Sequence, residues 1–113
     1  MAVSERSHVR NGDVCGVTFL ATDNGNATTA DNVIGHVTQL AFNQSAGTDA
    51  MSVTLNDTST GMELFTGGSV SDDISVKNFN NGAGSYCRGP LKLTISGHAG
   101  AISTDIIVYY TKL

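Results

Sequence analysis

The sequence predicts an all-β, single-domain sandwich, jelly-roll-like or a small barrel, of about six to eight mostly antiparallel strands behind an extended N-terminal arm. Three observations predict it. Apolar and polar residues alternate with period 2 in several short runs, as in Met51 to Asn56 and Leu91 to Ser96, which puts apolar side chains on one face of a strand. Turn residues, including 13 glycines, punctuate these runs. Charged residues make up only 14% of the 113, against about a quarter in an average domain, so the composition lacks the Lys, Glu, Leu and Ala excess of a helical fold. Apolar residues at 40%, recurring periodically, argue against disorder.

Taken in order, residues 1–13 are polar and aperiodic, with Asn11-Gly12-Asp13 as a turn signal, and are expected to form the arm. The sandwich domain then spans residues 14–113. Val14 to Ala21 is the first strand, and Thr22 to Asn32 is a loop by composition. Val33 to Phe42 is ambiguous. Its apolar positions 33, 34, 37, 40 and 41 fit a helical stripe, yet Val, Ile, Thr and an interior Gly favour a strand, which is the reading adopted. After a connection at 43–49, Met51 to Asn56 and Met62 to Thr66 form a hairpin around Asp57-Thr58-Ser59-Thr60-Gly61, with Gly61 available for a positive φ. Gly67-Gly68-Ser69 breaks it. Ile74 to Phe79 is another alternating strand, 80–85 a loop of small residues, and Tyr86-Cys87-Arg88 leads into Gly89-Pro90. Leu91 to Ser96 and Thr104 to Thr111 read as a closing hairpin, in which adjacent Tyr109 and Tyr110 face opposite sides and one completes the core.

The sequence points to no catalytic, cofactor-binding or metal-ligating residue and to no cofactor. The net charge is −4 and the six basic residues are scattered, which disfavours nucleic acid. No apolar run is long enough to span a bilayer, and the N-terminus lacks a secretory apolar region, so synthesis in a cytoplasm is expected. Cys15 and Cys87 are expected as free thiols in the core or at an interface, with a disulfide closing a long loop as the alternative. His8, His36 and His98 lie in different elements, with no zinc-site spacing. No GxSxG motif or strand–turn–helix presents a nucleophile, so an enzyme is not expected. Asp72-Asp73 reads as a solvated turn. Asp13, Asp23, Asp31 and Asp57 sit beside Asn and Gly, where Asx-turns account for them without calcium.

Two stretches carry a family resemblance. Ser52 to Phe65 resembles the mid-chain hairpin of small virion proteins of tailed bacteriophages, and Gly89 to Gly97 with Ile106 to Tyr110 resembles their closing strands. The order of the two and the C-terminal placement agree as well. The resemblance implies a non-enzymatic structural protein of a virus particle: a capsid decoration (cement) protein on the outside of the major capsid protein lattice. It further implies a homotrimer at local threefold positions, with neither nucleic acid nor membrane as partner. Closed symmetric oligomers suit capsid axes. A receptor- or glycan-binding fibre head, using loops 22–32 and 80–85, and a tail or neck component of the same particle are the alternatives.

Overall fold

A computed structural model describes residues 2–10, 12, 14–45, 51–70, 77–78, 85–98 and 102–112. The expected strand at 74–79 apart from residues 77–78, the loop at 80–84 and part of the connection at 43–49 lie outside them. The described residues form ten strands: β1 (Val3–Val9), β2 (Val14–Ala21), β3 (Gly25–Thr28), β4 (Gly35–Gln44), β5 (Met51–Asp57), β6 (Glu63–Val70), β7 (Lys77–Asn78), β8 (Ser85–Cys87), β9 (Leu91–Ser96) and β10 (Thr104–Lys112). The excess over the expected number comes from short pieces such as β7 and β8. One sheet runs β1-β2-β10-β4, with β7 and β8 both on the far edge of β4. The other runs β3-β9-β5-β6, and the pairings are antiparallel. The all-β sandwich is thus the architecture. No helix among the described residues is long and apolar enough to cross a membrane.

Alternation makes the core. β2 buries Cys15, Val17, Phe19 and Ala21, β10 buries Thr104, Ile106, Val108 and Tyr110, and β9 buries Leu91, Leu93 and Ile95. Tyr110 is inside and Tyr109 half-buried on the outer face, so the tyrosine pair divides as expected. Truncating a side chain such as Leu93 in such a layer typically costs about 2–5 kcal/mol. The ambiguous stretch at 33–42 is a strand, and its helix-like spacing has a cause. Tyr110 pairs with Val37 but Tyr109 with Gln39, so one extra residue bulges between them. Inward positions therefore switch from Gly35 and Val37 to Leu40, Phe42 and Gln44.

Four expectations are corrected. Residues 1–13 are not simply an arm: β1 pairs with β2 from Val3 to Val9, and Val3 is in the core. A bulge between Glu5 and Ser7 breaks its period, and its other inward residues, Glu5 and His8, are polar, so no apolar alternation marks it. The loop at 22–32 contains β3, which pairs with β9. The strand after Met62 continues through Gly67-Gly68-Ser69 to Val70. Finally, β9 and β10 are not a hairpin. β9 lies between β3 and β5, and β10 between β2 and β4, so the chain crosses from one sheet to the other after Gly97. Period-2 alternation specifies which face of a strand is buried, not which strand it pairs with.

Cys15 on β2 and Cys87 on β8 are separated by β10 and β4. Three steps of about 4.8 Å place them roughly 14 Å apart, twice the reach of a disulfide. Both are buried free thiols, and burial, then the charge of Asp57, pushes Cys87 up to about 11. Thiol titration without reductant is expected to find two reactive groups per chain in denaturant and almost none in the native protein. Gly35 has φ +153, and a Cβ there would lie 2.0 Å from the Thr111 carbonyl oxygen. Gly35→Ala is expected to lower stability by about 2–3 kcal/mol, read as a reduced urea midpoint.

Candidate functional site

One end of the sandwich brings Arg10, Gly12 and Val14 together with three connections, Thr29 to Ile34, Thr58 to Met62, and Arg88 to Pro90. Asp57, at the end of β5, is the knot. Its Oδ1 accepts the Ser59 N–H (3.0 Å) and hydroxyl (2.9 Å), and its Oδ2 accepts the Arg88 N–H (3.2 Å). The first of these is an Asx-turn, the role expected for this residue. Burial by itself would raise the Asp57 carboxyl. The hydrogen bonds from Ser59, Arg88 and the Thr60 hydroxyl outweigh it and hold the group below its ordinary value. Around this knot the Thr58 N–H and hydroxyl both donate to the Pro90 carbonyl, at 3.0 and 2.8 Å. The Val33 N–H donates to Gly89 O (3.0 Å), and Thr29 exchanges hydrogen bonds with Leu91. Gly89 admits no side chain, because a Cβ would come within 2.5 Å of Ser59 Cβ and 2.8 Å of Asp57 Oδ1. Gly61 turns the hairpin at φ +75, as its position predicts.

This braced end presents an unusual set of side chains. Val9, Val14, Ile34, Met62 and Tyr86 are the large apolar residues that the described surface exposes, each between 48% and 61%. All of them sit here. Val14, Thr111, His36 and Tyr86 form one register row across β2, β10, β4 and β8, on the outer face because the next row, Cys15, Tyr110 and Val37, is buried. The His36 and Tyr86 rings meet edge to face with centroids 5.7 Å apart. Ile34 precedes β4, Val9 ends β1 opposite Gly16, and Met62 closes the β5–β6 turn, its carbonyl accepting the Asp57 N–H. Arg10, Arg88 and Lys112 flank the group. Arg10 is paired with Asp31, and Lys112 Nζ donates to the Arg10 carbonyl (2.7 Å). Exposed apolar side chains gathered with Arg and Lys at their rim are the make-up of a protein–protein contact surface.

The residues singled out in the sequence are dispersed. His8 faces inward from β1 against Tyr110, and His36 lies outward at the braced end. His98 is buried at the opposite end, its N–H donating to Asn24 Oδ1 (2.7 Å) and its Nε2 3.2 Å from Thr104 Oγ1. Asp23 caps the Asn24 N–H, and Asp31 pairs with Arg10. Among the described residues no group of three or more His, Cys, Asp or Glu is placed to hold a metal ion. Asp13, Asp72 and Asp73 lie outside them. Sequence reasoning missed the apolar end, since its members come from five separate segments, each with a single exposed apolar residue.

No family model matches the chain, and no curated protein matches its sequence. Among solved structures it is similar in outline to Peruvianin-I, a cysteine peptidase from Thevetia peruviana latex, at 9% identity and a TM-score of 0.48. That match covers 98% of this chain, which spans 62% of the length of the peptidase chain. A chain of the cyanophage Pam1 capsid asymmetric unit is 13% identical with a TM-score of 0.43, over 91% of this chain and 86% of that one. A chain in the structure of infectious bursal disease virus, Gx strain, is 14% identical with a TM-score of 0.28, over 97% and 30%. Neither the activity of the first nor the setting of the others transfers by likenesses of this size.

The Asp57 knot generates a measurable expectation. Its lowered carboxyl contributes stability in full above the unfolded value, about 3.9, and the contribution is lost as pH falls through the lower folded value. Asp57→Ala leaves the Ser59 and Arg88 N–H groups without their acceptor, and is expected to cost about 2–4 kcal/mol at pH 7. Chemical denaturation from pH 7 to pH 2 should show the variant losing less further stability with acid than the native protein does.

Proposed function

We propose that the chain is a non-enzymatic structural protein of a virus particle, a decoration (cement) protein that seats on the outside of the major capsid protein lattice. The observation that carries this reading is the braced end, where the exposed Val9, Val14, Ile34, Met62 and Tyr86 gather on a framework tied by Asp57 and Gly89. The resemblance of the two hairpin sequences to tailed-phage virion proteins supports it from the sequence side. A protein of this kind works by geometry. Each copy bridges neighbouring capsid subunits and buries apolar surface, about 25 cal/mol for each Å² removed from water, that must be re-exposed before the subunits separate. A rigid end loses little conformational freedom on docking, so more of that energy is retained as affinity. A trimer at local threefold positions would place the same end of three copies against equivalent lattice sites.

Quantitative mass spectrometry of purified particles from the source is the test. The chain is expected in a fixed ratio to the major capsid protein, and its presence only in the cell lysate would count against the reading. Particles carrying the Val14→Glu, Tyr86→Ala variant, both positions being exposed and outside the core, are expected to lose the protein. Such particles should release their genome at a lower temperature in a dye-access melt.

A further inference from the structure

β1 is held by hydrogen bonds along one edge only, to β2, and Val3 is its one buried apolar residue. Past the bulge its inward side is His8, whose side chain is 7% exposed. His8 Nε2 lies 2.5 Å from the Tyr110 hydroxyl, the rings edge to face at a centroid distance of 5.7 Å. Tyr110 is buried in β10, beside Cys15 of β2, whose thiol donates to the Gly12 carbonyl (3.7 Å). The other ring nitrogen, Nδ1, is buried without a hydrogen-bond partner, and the nearest carboxylate, Glu5 Oε2, is 3.9 Å away. Glu5 is itself engaged, its Oε1 accepting the Ala30 N–H (3.0 Å). A neutral ring fits this arrangement, with Tyr110 donating to Nε2 and the ring proton on Nδ1.

We propose that Glu5, His8 and Tyr110 form a proton-operated latch: with His8 neutral, β1 stays on β2, and proton uptake in mild acid releases β1 while the remaining sheet and core stay folded. A proton on Nε2 removes the acceptor that the Tyr110 O–H uses. The charged and titratable groups facing His8 come from every element around it. Burial disfavours the charged ring most, Arg10 adds to that, and Glu5 and Asp31 oppose it without reversing it, so the group titrates below its ordinary value of 6.5. Tyr110, pushed up to about 12 by burial, stays neutral throughout. The released strand regains the ordinary His value and binds the proton more tightly than the docked one. Docking is therefore at full strength above about pH 6.5 and weakens as pH falls from there toward the lowered folded value. The latch does not depend on what the braced end binds, although release would carry Val9 and Arg10 away from it.

Amide hydrogen exchange by NMR on the full chain at pH 7.5, 6.0 and 5.0, corrected for intrinsic exchange rates, tests this. β1 amides are expected to lose protection about fivefold or more at pH 5.0 relative to those of β2 and β10. His8→Gln, which keeps a polar partner for Tyr110 but takes up no proton, should abolish the difference. Unchanged β1 protection, an equal acid loss in His8→Gln, or loss across the whole sheet at once would overturn the latch. Where the variant fails to fold, the His8 ring-proton titration in the native protein decides. A midpoint below 6.5 accompanied by β1 line broadening supports the latch, and a midpoint at or above 6.5 overturns it.

Discussion

Thr104, Ile106, Val108 and Tyr110 reach into the core from alternate positions of β10, while β2 and β4 saturate the strand's two edges with antiparallel hydrogen bonds. The large sheet has no continuity without this strand, because β1, β7 and β8 attach only through its neighbours. The core has no second wall without it either, since β9 and β5 bring Leu91, Leu93, Ile95, Val53 and Leu55 against the β2-β10-β4 surface. A strand flanked on both sides is fixed in register by both partners, and a slip of one residue would turn its apolar set to solvent. β10 tolerates one irregularity, the bulge opposite Tyr109 and Tyr110, which lets β4 change parity and still present Leu40 and Phe42 inward.

The braced end depends on a different kind of force. A buried carboxylate is costly unless it is well hydrogen-bonded. Asp57 meets that condition by collecting N–H and O–H donors from its own turn and from the Arg88–Pro90 crossover. The crossover passes so close that only Gly fits at position 89. Satisfying the carboxylate therefore fixes where Met62, Arg88 and Tyr86 stand relative to one another. The Met62 and Tyr86 side of the candidate contact surface is thus set by one local electrostatic requirement.

β1 stands at the other extreme of the fold. It contributes one apolar side chain to the core and is otherwise attached through polar groups: Glu5 to Ala30, His8 to Tyr110, and Arg6 to Asp105 at 3.0 Å. Elements with few buried apolar contacts are those that open at low free energy. Its attachment is polar where that of β10 is hydrophobic, so a change in the charge of His8 bears on β1 before the rest of the sheet.

The sequence by itself determined the fold class and most strands. Alternation at Met51–Leu55, Leu91–Ile95 and Ile106–Tyr110 states which side chains are buried, and Gly61 and Asp57 mark a turn by their own backbone preferences. β1 was illegible because a bulge and two polar inward residues erase its period, and β3 because Gly-Asn-Ala-Thr reads as loop until β9 supplies its hydrogen bonds. Only the tertiary structure decided that β9 and β10 part into opposite sheets, that Val9, Val14, Ile34, Met62 and Tyr86 share one end, and that His8 meets Tyr110. The reason is physical. Periodicity and turn preference act between residues a few positions apart, whereas strand partners and surface neighbours are set by which distant faces pack together.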